Sequence, residues 1–420
     1  MDSLTWEPRP PAPSSLGDRE VPLEGVHLAG KRIALLVSGS IAAYRAPDVA
    51  RALRRQGATV VAFASSEALR YVSEETLAWA TDGPVVTRLT AAAEHLSDRD
   101  PFAAYLLAPA TYNTINKFRQ GIADGVLTAT LASALGRLER GLSAIAIAPT
   151  MHGSLHNQIF TESIKTLQSW GVSVIAPRPG YGKHNLPEPI AIAAAVCRLT
   201  SVSPLRDVPI LVTGGPTPVA IDGIRRLTNR FTGQLGIAIA AELYRRGAAV
   251  TLVHGRSPVT PPEWLPHHVA ETYDDYRDRV LGILGDRPHR FGIFSAAVAD
   301  YRPATVHPGK LPSGRESWTL DLIPTEKVID LVGDHFPQVD RLTFKFQAGI
   351  DHGGLMAIAR DRLARGHRAV IANRAEEVGP NGEQVAYLVT PDQPPRQAIG
   401  KPMIAQLISD HLETLAHLRD

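Results

Sequence analysis

The sequence predicts an α/β protein that contains two doubly wound parallel-sheet domains, and two observations support this fold class. The chain has 420 residues, 44% of them hydrophobic, which is enough to bury more than one core. Residues 32–64 and 209–253 each contain a β-rich run, a glycine-containing turn, an alanine- and arginine-rich amphipathic stretch and a second β-rich run. A strand–helix–strand unit builds a parallel sheet, so finding it twice indicates two such domains.

The first half continues with further predicted elements. Residues 1–30 are rich in Pro and Ser and are expected to form a flexible N-terminal tail. A helix is predicted over residues 190–199. Apolar runs predict strands at Tyr105–Leu107, Ala144–Ala148 and Val172–Ile175. The domain boundary is expected near Ser201–Asp207, which gives an N-terminal domain over residues 31–200 and a C-terminal domain over residues 201–420.

The second half follows the same alternation of strands and helices. The segment from Pro402 to Leu418 predicts a closing helix. Strands are predicted at Phe291–Ser295, Arg341–Phe346, Ala369–Ala372 and Ala386–Val389.

Composition excludes several classes of protein. The 44 basic and 42 acidic residues give a net charge of +2, so no general electrostatic surface for nucleic acid is expected. The single cysteine, Cys197, excludes an internal disulfide framework and suits a reducing compartment. No apolar run reaches the roughly 20 residues that span a bilayer, and the N-terminus lacks a secretory pattern. We expect a cytoplasmic enzyme that binds neither nucleic acid nor membranes.

The most informative stretch covers residues 107–125. An apolar strand ends in Pro109-Ala110-Thr111, and a turn then leads into a predicted helix. The strand end of a parallel sheet offers backbone N–H groups and small hydroxyls to an anionic ligand. Thr111 or Asn113 could serve only as a helix cap, but Thr114 and the polar residues after it exceed what a cap requires. The stretch therefore predicts a binding loop.

Two other polar loops follow predicted strands of the same domain. Ser38-Gly39-Ser40 comes after the first strand, and Ser65 closes the second. Ligands in open parallel sheets bind at the carboxyl ends of the strands. The three loops together predict one cofactor site.

The C-terminal half contains its own polar loops. The Gly214-Gly215 turn follows a strand and can accommodate a phosphate, and Arg225 lies in a basic segment that suits phosphates or is simply solvated. The small residues Ser295-Ala296-Ala297 let a flat nucleobase approach the backbone, and Asp300 can accept from a base or ribose. Lys310 follows on a loop flanked by Pro and Gly, where a lysine either neutralises phosphate charge or is merely solvated.

The first half resembles the homo-oligomeric flavin-containing cysteine decarboxylases. The segments GSIAAYR, APATYNTINK and GIADGVLT are similar to the flavin-binding loops of that family. The resemblance implies a flavodoxin-like fold, bound FMN and oxidative decarboxylation of a C-terminal cysteine. The residues that it implies for FMN, together with those of the polar loops above, are Ser38, Gly39, Ser40, Ser65, Pro109, Ala110, Thr111, Asn113, Thr114, Ala123 and Asp124.

The same resemblance implies catalytic and substrate-binding residues. His95 matches the catalytic histidine, although the residues alone favour a solvated side chain. Met151-His152 stands where many members carry Met-Asn, whose amide holds the substrate carboxylate. In the commoner bacterial pattern a lid cysteine helps to return the enethiol to a thiol. Residues 177–187 contain no cysteine, so Lys183 or His184 is a candidate donor there, and Cys197 is expected in the core.

The second half resembles the phosphopantothenate–cysteine ligase domain through GGPT, IDGIRRLTN, AAVADY and the lysine that follows. The resemblance implies a Rossmann-like fold, CTP as co-substrate and Mg2+, with no metal ligand identified. Asn229 matches the residue that holds the acyl-cytidylate, and Lys310 the residue that promotes its formation. The residues expected to contact substrates are Gly214, Gly215, Arg225, Ser295, Ala296, Ala297, Asp300, Phe344, Arg365 and Asn373.

The order of the two halves resembles the bifunctional enzymes of coenzyme A biosynthesis. It implies that cysteine is joined to 4′-phosphopantothenate and that the product is decarboxylated to 4′-phosphopantetheine. A homo-oligomer is expected, built from flavin-domain trimers and ligase-domain dimers. Two alternatives remain: an amide ligase of specialised metabolism whose flavoprotein half stops at an oxidised enethiol, and a non-catalytic flavin-binding regulatory subunit.

Overall fold

A computed structural model describes residues 9–96, 99–314 and 316–418. They fall into two compact units, and the division lies between Thr200 and Ser201. Residues 1–8, the start of the expected tail, lie outside the described residues. No helix in the described part of the chain is both long and apolar enough to cross a membrane.

The N-terminal unit contains eight labelled strands and six labelled helices among its described residues. The strands are β1 Arg32–Val37, β2 Thr59–Ala64, β3 Ala104–Ala110, β4 Ala144–Pro149, β5 Met151–His152, β6 Ser173–Val174, β7 Arg178–Gly180 and β8 Lys183–Asn185. The helices are α1 Ala46–Arg54, α2 Glu74–Thr81, α3 Tyr112–Arg119, α4 Val126–Glu139, α5 Gln158–Ser169 and α6 Pro189–Leu199. Short 3-10 turns lie at Ile41–Arg45, Ala68–Arg70 and Gly153–Leu155.

The sheet of this unit is parallel and has the strand order β2-β1-β3-β4-β6. This is the flavodoxin-like order, and it confirms the predicted doubly wound class. Strand β3 is buried along its whole length, because helices cover both faces of the sheet and each face has its own apolar cluster. The carboxyl ends of β1, β3 and β4 therefore lie at one edge, where the predicted polar loops follow them.

A small antiparallel sheet adds to this edge. Its strand order is β5-β8-β7, so the hairpin of residues 178–185 pairs with Met151–His152 immediately after β4. The sequence did not predict this hairpin, because its strands are only two or three residues long and carry no apolar alternation.

The expected tail differs from the structure in its second half. Leu28 is fully buried in the N-terminal core. The backbone N–H groups of Glu24 and Leu28 donate to the carbonyls of Arg55 and Gln56, at 2.8 Å each. Residues 24–28 are thus packed against the end of α1, and the Pro/Ser content of the preceding segment concealed this.

The C-terminal unit has twelve strands and five helices among its described residues. The strands are β9 Pro209–Gly214, β10 Val219–Ala220, β11 Arg226–Leu227, β12 Ala249–Gly255, β13 His267–Ala270, β14 Phe291–Phe294, β15 Tyr301–Pro303, β16 Leu322–Pro324, β17 Asp340–Gln347, β18 Ala369–Arg374, β19 Val385–Val389 and β20 Arg396–Ile399. The helices are α7 Gln234–Arg245, α8 Tyr273–Asp286, α9 Val328–His335, α10 His352–Ala364 and α11 Lys401–His417.

Its main sheet has the order β13-β12-β9-β14-β17-β18-β19-β20. The first six strands of that order are parallel, and β19 and β20 extend the sheet antiparallel. The parallel part has the Rossmann order, as predicted. The antiparallel edge and the two short hairpins, β10–β11 and β15–β16, were not predicted.

Candidate active sites

A first cavity of about 660 Å³ lies in the N-terminal unit, at the carboxyl ends of β1, β3 and β4. Ile41 and Tyr44 form an apolar part of its wall and are exposed by 71% and 62%. Its volume is in the range of small-molecule sites. The other lining residues are Gly39, Ser40, Ala42, Arg45, Thr111, Tyr112, Asn113, Thr150, Met151, His152, Leu155, Arg178, Lys183, His184, Asn185 and Leu186.

Ser38 holds two of the loops together instead of lining the cavity. Its side chain is buried, and its Oγ donates to the carbonyl of Pro109 at 2.7 Å and accepts from the N–H of Thr111 at 3.1 Å. The hydroxyl thus fixes the end of β3 against the turn after β1. Ser40 then caps the following turn, because its Oγ accepts from the N–H of Ala42.

Thr111 is the cap of α3. Its Oγ1 accepts from the N–H of Thr114 at 3.4 Å, so the capping function considered from the sequence is present, while Thr111 also lines the cavity. Asn113 is exposed and lines the cavity as well. Pro109, Ala110 and Thr114 are buried and do not line the cavity.

Three further residues expected at the cofactor, Ser65, Ala123 and Asp124, lie outside the cavity lining. Ser65 accepts through Oγ from the N–H of Ala68, which is a local cap. Ala123 is exposed, and Asp124 forms an ion pair with Lys117 at 2.6 Å. Asp124 also accepts from the hydroxyl of Thr128. These contacts organise the start of α4.

Met151 and His152, which the resemblance implied for substrate binding, both line the cavity. Nδ1 of His152 accepts from the N–H of Ser154 at 3.2 Å and lies 2.9 Å from its hydroxyl. A neutral ring that accepts at Nδ1 carries its proton on Nε2. His152 can therefore present an N–H donor to a carboxylate in the cavity.

The hairpin of residues 178–185 closes one side of the cavity and is held by Glu188. One carboxylate oxygen of Glu188 lies 2.6 Å from the guanidinium of Arg45, and the other lies 2.6 Å from that of Arg178. The hydrogen bond from Arg45 lowers the pKa of Glu188. Because Arg45 belongs to the turn before α1, the pair of contacts joins the hairpin to the opposite wall.

His95 is not among the residues that line this cavity. Its Nδ1 is buried and has no hydrogen-bond partner within the described residues. The described residues of one chain thus do not bring His95 to the loops that it was expected to serve.

A second cavity of about 340 Å³ lies in the C-terminal unit, between the β14–β17 face of the sheet and helices α9 and α10. Four residues predicted from the sequence line it, namely Ala296, Asp300, Phe344 and Arg365. The remaining lining residues are Tyr276, Phe294, Val298, Lys327, Val328, Ile329, Asp330, Arg341, Thr343, Arg362 and His367.

Three cationic residues of this cavity, Lys327, Arg341 and Arg362, were missed. Lys327 forms an ion pair with Asp300. Arg362 lies near the end of α10, three residues before Arg365, and donates to the carbonyl of Phe344 at 3.1 Å. The three-residue spacing of Arg362 and Arg365 is a signal that could have been found from the sequence. Lys327 carried no such signal.

A buried polar pair lies at the base of the cavity. Oγ1 of Thr343 lies 2.7 Å from Nδ1 of His367, and both side chains are buried. Desolvation, followed by the charges of Arg341 and Arg362, lowers the pKa of His367 to about 4. The imidazole is therefore neutral at physiological pH.

Lys310 does not line the second cavity, but its loop is docked on the segment that carries Arg225. The buried carboxylate of Asp222 accepts from the N–H groups of Arg225 at 2.6 Å and Leu311 at 3.2 Å. It also pairs with the guanidinium of Arg225 at 2.6 Å. These hydrogen bonds, led by the one from the backbone of Arg225, hold the pKa of Asp222 far below its usual range.

Arg225 already has partners within the protein. Its Nη1 is used by Asp222 and by the carbonyl of Leu311, and its guanidinium lies over Trp318 at 5.6 Å. The side chain holds the Lys310 loop in place.

The glycine turn after β9 is bound to the turn after β14. Gly215 has a φ of +77°, and a side chain there would meet the carbonyl oxygen of Gly255 at 2.6 Å. Its carbonyl accepts from the N–H of Ala297 at 2.9 Å, and Ser295 donates to the carbonyl of Thr213. Asn229 donates to the carbonyl of Ala297 at 2.9 Å, which brings it to the same turn.

Gly214 and Asn373 complete the predicted set. A side chain at Gly214 would lie 3.2 Å from the Cα of Gly236 in α7, so the turn and the helix are closely packed. Asn373 is buried near the carboxyl end of β18, opposite Phe346. Neither residue lines the second cavity.

Comparison with known proteins divides the chain into the same N-terminal and C-terminal parts. Residues 23–201 match the family described as Flavoprotein, and residues 205–415 match the DNA/pantothenate metabolism flavoprotein C-terminal domain. The chain is 33% identical over 368 residues to the coenzyme A biosynthesis bifunctional protein CoaBC of Thermococcus kodakarensis, covering 86% of this chain and 89% of that protein. The chain belongs to this bifunctional family. It is therefore an enzyme of coenzyme A biosynthesis with a ligase and a decarboxylase activity.

Two other proteins are similar to the chain over smaller parts of it. The CoaBC protein of Escherichia coli is 31% identical over 332 residues, which cover 74% of this chain and 79% of that protein. A solved structure of the DNA/pantothenate metabolism flavoprotein from Streptococcus pneumoniae is 26% identical, covers 50% of this chain and 99% of its own, and has a TM-score of 0.44.

Proposed function

We propose that the C-terminal unit uses CTP to activate the carboxylate of 4′-phosphopantothenate, and that the amine of cysteine then displaces CMP. The observation that supports this most directly is the composition of the second cavity. Phe294 and Phe344 provide flat apolar surface for a nucleobase, while Arg362 and Arg365 provide charge for a triphosphate.

The residues around that cavity receive distinct roles in this proposal. Lys310 neutralises the charge that develops during nucleotidyl transfer, and Asn229 holds the acyl-cytidylate beside the glycine turn. Asp300 contacts the cytidine and would exchange its partner Lys327 for the nucleotide. Gly214, Gly215, Ser295 and Ala297 supply a closely approachable backbone, and Asn373 contacts substrate from β18.

We propose Mg2+ as the metal of the ligase reaction. Among the described residues, no group of three His, Cys, Asp or Glu side chains could hold a metal ion. Mg2+ commonly binds through substrate phosphates and few protein ligands, so it would enter with the nucleotide.

We propose that the N-terminal unit binds FMN in the first cavity and decarboxylates the cysteinyl product to 4′-phosphopantetheine. The fit rests on the volume of about 660 Å³, the apolar wall and the amide and hydroxyl groups of Ser40, Thr111 and Asn113. FMN, when bound, supplies a reversible hydride acceptor for the cysteine β-carbon. His152 donates through Nε2–H to the departing carboxylate, and Met151 packs beside it.

His95 requires a second copy of the chain in this proposal. It is assigned to proton transfer, yet it does not line the first cavity of its own chain. We propose a cytoplasmic homo-oligomer with flavin-domain trimers and ligase-domain dimers, in which His95 reaches the cavity of a neighbouring copy. Mixed oligomers of His95→Ala and His152→Ala chains would then regain decarboxylation.

The experiment that tests the proposed function measures the products of the ligase reaction and of the decarboxylase reaction separately. The protein is incubated with 4′-phosphopantothenate, cysteine, Mg2+ and each nucleoside triphosphate, and the products are followed by mass. We expect CMP, flavin absorbance and carbon dioxide release. Lys310→Ala should reduce CMP formation about a hundredfold or more, while Lys401→Ala, at the start of α11, serves as a control. Unchanged CMP formation by Lys310→Ala would contradict the assignment.

A further inference from the structure

We propose that His184 is a catalytic residue of the first cavity, where it gives a proton to the carbon that carbon dioxide has left. This inference rests on the proposed function of the N-terminal unit. It concerns the return of the oxidised product to a saturated thiol. His95 is assigned to the proton that moves during the oxidation, and no role assigned above supplies the proton of this later step.

The chemistry requires such a donor. After oxidation of the cysteine β-carbon, loss of carbon dioxide leaves an enethiolate, with a carbon–carbon double bond next to the amide nitrogen. A saturated thiolate is regained when one proton bonds to the former α-carbon and one hydride bonds to the carbon that bears sulfur. The hydride is the one that FMN took up in the oxidation. The proton has to come from a side chain that faces the substrate and can be reprotonated by water.

Most polar residues of the cavity are unsuited to this step. Arg45 and Arg178 do not release protons and are both paired with Glu188. His152 is proposed to hold the leaving carboxylate through its Nε2–H. Cys197 is fully buried within α6 and is not part of the cavity wall. The remaining candidates on the hairpin are Lys183 and His184.

The geometry favours His184 over Lys183. His184 is half-buried, whereas Lys183 is exposed. The backbone of His184 pairs with that of Met151. Its ring meets the ring of His156 edge-on, with centroids 4.7 Å apart. These contacts restrain the ring, and imidazole can both release and regain a proton near neutral pH, which an ammonium group does poorly.

The hairpin backbone fixes the position of this ring at the cavity. The N–H of Gly153 donates to the carbonyl of Gly182 at 2.9 Å, and a side chain at Gly153 would meet that oxygen at 2.7 Å. The side-chain amide of Asn185 donates to the carbonyls of Arg178 and Gly180 at 3.3 Å each. The tip and base of the hairpin are thus tied, so His184 is held on a rigid element.

The step balances with these groups. The N–H bond of protonated His184 breaks and a C–H bond forms at the former α-carbon, which converts the enethiolate to a thioaldehyde. The hydride then reduces the C=S carbon to the thiolate and FMN returns to its oxidised state. Neutral His184 takes a proton from water, so the net reaction is replacement of the carboxylate by hydrogen.

The test uses the full-length FMN-loaded protein and the cysteinyl substrate in a single anaerobic turnover. For His184→Gln we expect carbon dioxide release as in the wild type, a product two hydrogens lighter than the saturated thiol, and flavin that stays reduced. The yield of saturated thiol should fall about a hundredfold. His184→Cys should regain part of it, because a thiol also donates a proton. Tyr181→Phe, at the fully exposed hairpin tip, is the matched control.

The other possible results would overturn either the role of His184 or the proposed function of the N-terminal unit. Saturated thiol and reoxidised flavin in His184→Gln at the wild-type rate would overturn the inference, as would the same loss in Lys183→Gln but not in His184→Gln. Absence of carbon dioxide release by the wild type would instead overturn the proposed function of this unit. Flavin content equal to that of the wild type shows that each variant is folded.

Discussion

At the scale of single residues, buried polar side chains that line neither cavity position loops that carry candidate site residues. The hydroxyl of Ser38 connects Pro109 and Thr111, more than seventy residues away in the chain. The carboxylate of Asp222 connects Arg225 and Leu311 in the same manner. In both cases one side chain joins two loops that are distant in the sequence. A substitution of Ser38 or Asp222 should therefore disturb a site that the side chain itself does not contact.

Ser38→Ala should weaken FMN binding about tenfold. The substitution removes the donor to Pro109 and the acceptor for Thr111, and leaves two polar backbone groups unsatisfied at a cost of about 1 to 3 kcal/mol. Part of that cost becomes a looser binding loop, and about 1.4 kcal/mol corresponds to a tenfold change in affinity. Flavin titration of the apoprotein measures it. Ser65→Ala is the control, because its hydroxyl makes a local cap outside the cavity; equal losses for the two variants would refute the argument.

Asp222→Asn should lower the rate of CMP formation about a hundredfold while FMN binding is retained. The amide cannot accept from Arg225 and Leu311 as a carboxylate does, so the Lys310 loop shifts, and small misplacements of catalytic groups cost that much. Steady-state kinetics with CTP, 4′-phosphopantothenate and cysteine check the rate. Asp278→Asn, whose exposed carboxylate pairs with Arg277, should behave as the wild type. A wild-type rate for Asp222→Asn would show that the loop is positioned otherwise.

At the scale of elements, the carboxylate of Glu188 ties the hairpin β7–β8 to the turn before α1. Glu188→Gln should loosen the hairpin, because neither Arg45 nor Arg178 keeps an ionic partner there. We expect faster tryptic cleavage after Lys183, with Glu162→Gln as the exposed control on α5. The pKa of Glu188 is lowered in the fold, so the contact is present above the pKa of an unfolded glutamate and is lost as the pH falls through the lowered value. Hydrogen exchange of the hairpin relative to its intrinsic rate should therefore accelerate on acidification of the wild type. An unchanged tryptic cleavage pattern in Glu188→Gln would contradict the role of this carboxylate.

The elements also show how far the sequence could lead. Strands such as β1 and β4 were predictable because they are continuous apolar runs followed by polar loops. Strands β5, β7 and β8 were not, since two or three polar residues pair only because the tertiary structure brings them together. The first cavity was accordingly predicted from its loops, but not with its hairpin wall.

The same distinction holds for residues. Phe344 and Asp300 were predicted by motif and lie at one cavity, whereas Lys327 has no motif and is recognised only by its contact with Asp300. Arg225 was assigned from its chemical type, and its ion pair with Asp222 was not predicted. Residue type indicates what a side chain can bind, and only the fold shows which partner it has.

Across the C-terminal unit, stability should fall on acidification because two buried histidines resist protonation. Desolvation is the first cause that lowers the pKa of both His367 and His411 to about 4. The unfolded state binds more protons than the folded state below pH 6.5 or so, so stability is complete above that pH and decreases toward pH 4. At pH 5 each histidine should cost about 2 kcal/mol. Hydrogen exchange of α11 peptides at pH 7 and pH 5 measures this, and His411→Leu should reduce the difference; equal differences in both proteins would contradict it.

For the whole molecule, each unit has its own core and its own cavity, so the two ligands should stabilise different parts of the chain. Ligand at a hundred times its Kd adds about 2.7 kcal/mol to the unit that binds it. FMN should therefore slow hydrogen exchange in α3 and in the hairpin of residues 178–185, around the first cavity, while CTP with Mg2+ should slow it in α9 and α10. Ser38→Ala should weaken only the first effect, and Phe344→Ala only the second. The apolar clusters of the two units share no residue. Slower hydrogen exchange in α9 and α10 with FMN alone would therefore contradict the expectation that each ligand stabilises only the unit that binds it.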